Sequence, residues 1–82
     1  MKAQRGMTMI KELLEAIANK YNVTLTYQEC HAEFTGFQDT FAGRFDKGNL
    51  RADIEELLIS QGITEFRTTS GVNPHKITVE WK

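Results

Sequence analysis

The chain has 82 residues, which is enough for one domain and not for two. Its hydrophobic fraction of 40% and charged fraction of 26% are ordinary for a globular domain, and a net charge of −1 argues against a general nucleic-acid-binding protein, which usually carries a basic excess. A single cysteine excludes an intramolecular disulfide and favours a reducing cytoplasm, and no stretch approaches the roughly 20 apolar residues that span a membrane.

The first part of the chain predicts a helix followed by a strand. Residues 1–7 are expected to form a flexible tail, and charged residues interrupt the apolar run that a signal peptide would need. Thr8 is the expected N-cap of a helix from about Met9 to Tyr21. The apolar side chains at helical spacing in this segment are Ile10, Leu13, Leu14, Ile17 and Tyr21. Val23–Gln28 then alternates between apolar and polar residues, which is typical of a half-buried strand.

Residues 29–45 admit two interpretations. Cys30, Ala32 and Phe34 continue a strand alternation, which favours extended structure. The spacing of three or four residues that a helix would require is also present, in the series Tyr27, Cys30, Phe34, Phe37, Phe41 and Phe45. Gly36 and Gly43 would each destabilise a helix by about 1 kcal/mol relative to alanine. Extended structure is therefore the preferred interpretation, with a helix as the alternative.

The second half repeats the order of helix and strands. Asn49 is the expected N-cap of a helix, with Asp46 as a rival cap, and Gly62 after Gln61 is its expected left-handed stop. Its apolar stripe consists of Leu50, Ile54, Leu57 and Leu58. A strand over Ile63–Ser70, a turn over 71–74 and a strand over His75–Lys82 follow from β-branched, aromatic and turn-forming residues. The alternating face of the last strand should pack on this stripe, and it consists of Ile77, Val79 and Trp81.

The elements together predict an α+β fold of one domain over residues 1–82, in the order α-β-β-α-β-β. Two helices would cover one face of a small, about four-stranded antiparallel sheet. A domain of this size buries only about 60–65% of the surface of its unfolded chain, so its stability is marginal. Pairing of open sheet edges would bury more surface, which makes a homodimer a hypothesis.

The residues with the most reactive side chains are Cys30, His31 and His75. Cys30 and His31 are adjacent on a predicted strand, so their side chains should point to opposite faces and cannot easily share a metal ion. A structural zinc site needs four ligands, and their usual paired spacings are absent. No third group completes a Cys30–His75 dyad. The sequence therefore predicts no catalytic residues, no metal site and no cofactor, and a small hydrolase or nuclease using His31 or His75 is the weakest hypothesis.

The preferred hypothesis is a small non-enzymatic binding or regulatory protein that docks on another protein, as inhibitors, antitoxins and adaptors do. Asp53, Glu55 and Glu56 form an acidic segment of the second predicted helix, and charge complementarity speeds encounter with a basic partner. These residues are the candidate docking surface. None of the motifs is specific enough to indicate a protein family.

The alternative hypothesis is binding of single-stranded nucleic acid. Arg44, Lys47 and Arg51 lie near phenylalanines, and aromatic side chains can stack on bases while cations contact phosphates. The preferred role of Phe34, Phe37, Phe41 and Phe45 is nevertheless in the core. Their burial discriminates between the two hypotheses. Buried phenylalanines would leave the acidic helix as the chief candidate surface, whereas an exposed aromatic row beside Arg44 would reverse the order of the two hypotheses.

Overall fold

The computed structural model describes the backbone of residues 2–82 and the side chains of residues 10–82. The described chain forms two helices and one four-stranded antiparallel sheet, which confirms the predicted fold class and element order. The elements are α1 (Lys2–Tyr21), β1 (Thr24–Gln28), β2 (His31–Thr35), α2 (Phe41–Ser60), β3 (Phe66–Val72) and β4 (His75–Trp81).

The sheet joins two hairpins through the second strand of each. Its strand order is β1-β2-β4-β3, and every neighbouring pair is antiparallel. The central pair aligns Ala32 with Val79 and Phe34 with Ile77. β1 and β3 therefore form the two edges, and each half of the chain contributes one helix, one edge strand and one central strand.

The core lies between the helices and one face of the sheet. Its buried residues are Leu14, Ala18, Ala32, Phe34, Leu50, Ile54, Leu58, Ile77, Val79 and Trp81. The prediction that the alternating face of the last strand packs on the helical leucine stripe is confirmed. The opposite face of the sheet is polar, as expected for an antiparallel sheet with one face in solvent. Lys76 pairs there with Glu33, with 3.2 Å between the Lys76 Nζ and Glu33 Oε2 atoms.

The start of α2 differs from the prediction. Asn49 was the expected N-cap, but the helix begins at Phe41 and Thr40 caps it. The Thr40 backbone is extended, and its hydroxyl oxygen accepts a hydrogen bond of 3.0 Å from the amide of Gly43. The preference for extended structure in residues 29–45 is thus correct for His31–Thr35 and wrong from Phe41 onward.

Gly43 is required by close packing rather than tolerated at a cost. A Cβ atom built at Gly43 would lie 2.0 Å from the carbonyl oxygen of Gln38, in the loop before the helix. Intrinsic helix propensities rank glycine as unfavourable in a helix. At position 43, however, the loop can pack over the first turn of the helix only because glycine has no side chain.

The helix ends agree better with the sequence. Gly62 follows α2 as predicted, and both it and Asn22, which follows α1, have a left-handed backbone conformation, with φ of 81° and 57°. Ile63 donates a backbone hydrogen bond of 2.9 Å to the Leu58 carbonyl, which satisfies a free carbonyl at the end of α2. The backbone of α1 is helical from Lys2, so Thr8 lies inside the helix and does not cap it. Met1 lies outside the described residues, and the flexibility of residues 1–7 stays a prediction.

Candidate functional site

The predicted acidic surface is divided between two sides of α2. Asp53 faces α1, where its Oδ2 atom accepts hydrogen bonds from the Tyr21 hydroxyl at 2.7 Å and the Lys20 ammonium at 3.1 Å. Glu55 faces β3 and accepts a hydrogen bond of 3.0 Å from the Thr68 hydroxyl. Glu56 is exposed. Two of the three carboxylates therefore hold the fold together.

The contacts of Asp53 lower its pKa. The hydrogen bond from Tyr21 holds the pKa of Asp53 below its ordinary value, and Lys20 adds to this effect through its hydrogen bond and its charge. The pKa of Tyr21 is raised, first by burial and then by the hydrogen bond to Asp53. Asp53 is thus a charged link between the two helices.

The three predicted cations differ in availability. Arg51 donates to the Thr68 hydroxyl at 2.8 Å and lies 3.6 Å from the Glu55 carboxylate. Lys47 is only 9% exposed, which is unusual for a lysine. Arg44 is exposed, and its side chain makes no hydrogen bond or ion pair with the part of the chain that the structure describes. Arg44 alone of the three projects freely into solvent.

The four phenylalanines do not form one core group. Phe34 is buried and Phe37 is half-buried, whereas Phe41 and Phe45 are 80% and 63% exposed. Since residues four apart on a helix are neighbours, Phe41 and Phe45 lie side by side. The core role expected for all four is wrong for this pair, because α2 continues through residues that the sequence placed in extended structure.

An apolar surface on the solvent side of α2 extends from this pair and is called the α2 outer face. Its residues, exposed along one side of the helix, are Phe41, Phe45, Gly48, Ala52 and Ile59. Ile59 is also an exposed large hydrophobic side chain. A Cβ atom at Gly48 would meet nothing within 4 Å, so the fold of the chain itself does not require this glycine. The opposite side of α2 supplies Leu50, Ile54 and Leu58 to the core.

A second feature is a hydrogen-bonded chain that links α2 to β4. The Lys47 ammonium donates to the Gly71 carbonyl at 2.9 Å and lies 2.9 Å from His75 Nδ1. His75 Nε2 lies 2.9 Å from Asp39 Oδ1. Because an ammonium has only protons to donate, Nδ1 accepts, and Nε2 carries the ring proton toward Asp39. Both ring nitrogens of His75 therefore have hydrogen-bond partners.

An open depression lies beside this chain and is called the niche. Its volume is about 580 Å³, and it is lined by Asp39, Arg44, Lys47, Val72, Asn73 and His75. It lies where the start of α2 meets the β3–β4 turn. The sequence singled out Arg44, Lys47 and His75 but missed Asp39, which lies in the irregular loop before α2 and gives no periodic signal.

The remaining reactive residues lie apart from the niche. His31 is on the polar face of the sheet, with Nδ1 3.8 Å from the Glu80 carboxylate. Cys30 is exposed in the β1–β2 turn, and its carbonyl accepts a hydrogen bond from Trp81. His75 and Trp81 are the first and last residues of β4, so their backbones are roughly 20 Å apart at about 3.3 Å per residue. Cys30 lies at the Trp81 end of the strand, far from His75. The Cys30–His75 dyad does not form.

Within residues 2–82 no helix has the length and apolar character to cross a membrane. The described side chains contain no group of three or more histidine, cysteine, aspartate or glutamate residues that could hold a metal ion. Comparison with protein-family models, curated proteins and solved structures finds no match to this chain.

Proposed function

We propose that this chain is a non-enzymatic binding protein that docks on another protein through the α2 outer face. The observation that carries the proposal is the exposure of Phe41 and Phe45, 80% and 63%, on a helix whose other side is fully committed to the core. A domain with few apolar residues to bury gains nothing from leaving two phenylalanines in water, unless a partner covers them.

Burial of these two side chains would supply part of the free energy of binding. Complete burial of a phenylalanine side chain contributes roughly 2 kcal/mol, so covering both would contribute about 3–4 kcal/mol before the cost of association. Aromatic anchors at the centre of an interface commonly dominate its energy. Gly48 and Ala52, one and two turns further along, leave a low surface that a partner can approach closely. This arrangement resembles recognition of a helix in an apolar groove.

Nucleic-acid binding is the second candidate, and the exposed phenylalanines beside Arg44 favour it. The charges weigh against it. Lys47 and Arg51, two of the three cations it was to use, already donate to groups of the same chain. Binding to nucleic acid takes most of its affinity from several phosphate contacts, and Arg44 together with the one remaining Lys47 donor supplies two at most. A nuclease or hydrolase using His75 is less well supported still, because neither ring nitrogen is free to move a proton.

Site-specific photo-cross-linking tests the proposal. A photoreactive phenylalanine analogue is placed at position 45, and, as the matched control, at Thr69 on the polar face of the sheet. Irradiation in the native cell should yield one discrete cross-linked protein from position 45 and none from position 69. The additional change Phe41→Ala should reduce that product about tenfold, as loss of one anchor predicts. Equal products from both positions, or cross-links only to nucleic acid, would refute protein docking by this face.

A further inference from the structure

We propose that the niche binds a single carboxylate from an acidic side chain of the docked protein, held by the Arg44 guanidinium and the Lys47 ammonium. The inference rests on the proposed function for the source of the carboxylate. The niche and the α2 outer face are continuous, because Phe41 and Arg44 are one helical turn apart. The partner would then present an acidic residue flanked by apolar ones.

The first support is that the two cations of the niche lack an ion-pair partner although they lie close together. Elsewhere in the described chain Lys20 pairs with Asp53, Arg51 with Glu55 and Lys76 with Glu33, whereas Lys11, Arg67 and Lys82 are unpaired and lie outside the niche. Arg44 and Lys47 have no carboxylate within ion-pairing distance among the described residues, although they lie along the same depression. The niche therefore brings two cations together with a single carboxylate, that of Asp39, which is hydrogen-bonded to His75 and not to either cation.

The second support is the burial of Lys47. An ammonium that leaves water must recover its lost solvation through hydrogen bonds or an opposite charge. Lys47 is 9% exposed and has two acceptors, the Gly71 carbonyl and His75 Nδ1. An ammonium carries three protons, so one donor remains for a ligand. His75 and Gly71 hold the ammonium in place, and the flexible Arg44 side chain closes over the ligand with paired donors that match a carboxylate.

The third support is the charge of the niche, which selects a carboxylate over a phosphate. In the formal charge at pH 7, in which histidine counts as neutral, Arg44 and Lys47 are positive and Asp39 is negative, so the lining carries one positive unit. One carboxylate neutralises it, whereas a phosphate dianion would leave negative charge beside Asp39. Val72 lines the same depression and is 69% exposed, which provides an apolar contact next to the acidic group.

The test uses the full chain and two capped synthetic tripeptides, one with glutamate between two leucines and one with glutamine in its place. Binding is followed by NMR, through the Arg44 side-chain N–H and the Val72 methyl groups. The glutamate peptide should bind about tenfold more tightly, because a charge-assisted hydrogen bond is lost in the other. Arg44→Gln should abolish the difference, and Asp39→Asn should increase it by removing the repelling carboxylate. Both side chains are exposed, so these changes leave the core intact.

Arg67→Gln is the matched control, since Arg67 is exposed on β3 at a distance from the niche, and it should leave the difference unchanged. Equal binding of the two peptides, no binding of either, or unaltered selectivity in Arg44→Gln would overturn the inference. Tighter binding of inorganic phosphate or of a short thymidine oligonucleotide at the same signals would overturn it in favour of a phosphate site. Selective peptide binding combined with failed cross-linking at position 45 would refute the proposed docking function and leave the niche.

Discussion

Two glycines in one helix predict opposite responses to the same mutation. In Gly48→Ala the new methyl group meets nothing within 4 Å, so only the helix propensity changes. Alanine is favoured over glycine in a helix interior by about 1 kcal/mol, partly because it restricts the unfolded chain. In Gly43→Ala the new methyl carbon would lie 2.0 Å from the Gln38 carbonyl oxygen, which is backbone and cannot rotate away.

The expected magnitudes are clearly separated. Gly48→Ala should raise the free energy of unfolding by about 0.5–1 kcal/mol. In a domain of this size, each 1 kcal/mol shifts Tm by roughly 4–8 °C. Gly43→Ala must displace the loop or open the first turn of α2, and the loss should be about 2–3 kcal/mol, in the range of overpacked sites. The loop also carries Asp39, so the Asp39–His75 hydrogen bond should weaken with it.

Urea unfolding, followed by Trp81 fluorescence and by far-UV circular dichroism, measures both effects. Trp81 is buried in the core and reports on tertiary structure. Gly43→Ala should unfold at the lowest urea concentration, wild type at an intermediate one and Gly48→Ala at the highest. Equal shifts for the two variants, or stabilisation by both, would refute the close approach of the loop to α2.

Three further predictions concern the fold and its pH dependence. Because the pKa of Asp53 is lowered in the fold, its contribution to stability is present above the unfolded value near 3.8 and is lost as the pH falls through the folded value. Asp53→Asn should therefore cost about 1 kcal/mol at neutral pH and flatten the acid limb of a stability–pH curve, since Asp53 is partly exposed. Thr40→Ala should lower the free energy of unfolding by about 1 kcal/mol through loss of the N-cap, and amide exchange should show faster opening at Gly43. Phe34→Ala should lower it by about 3–5 kcal/mol, because Phe34 is fully buried in the central strand pair, and calorimetry should show a much reduced Tm.

The element order could be predicted because each segment shows its own period. The apolar residues of α2 recur with the helical period of 3.6 residues and those of β4 with the strand period of 2, so each element has one apolar face. The packing of these two faces on each other could therefore be predicted. Residues 41–45 could not be assigned in this way. Phenylalanines at spacings of three and four fit either structure, and the contact that favours a helix, between Gly43 and Gln38, is a close approach that no local scale contains.

The functional residues were harder to predict than the fold. The role of a charged side chain depends on which residue it contacts in the folded chain, and the sequence does not show that contact. Asp53 meets Tyr21, 32 residues earlier, and His75 meets Asp39, 36 residues earlier. The acidic segment of α2 was therefore assigned to a partner although two of its carboxylates serve the fold. The exposure of Phe41 and Phe45 followed only from the length of α2.

The joining of the two hairpins through β2 and β4 has a consequence for how the chain folds. Within each half, the hairpin contacts connect residues close in sequence, so they form early and at low entropic cost. The ladder between β2 and β4 is the only strand pairing in the described sheet that bridges the halves. We therefore expect formation of that ladder to be the slow step, and we expect a chain cut between Thr35 and Phe41 to yield two fragments that reassemble when mixed.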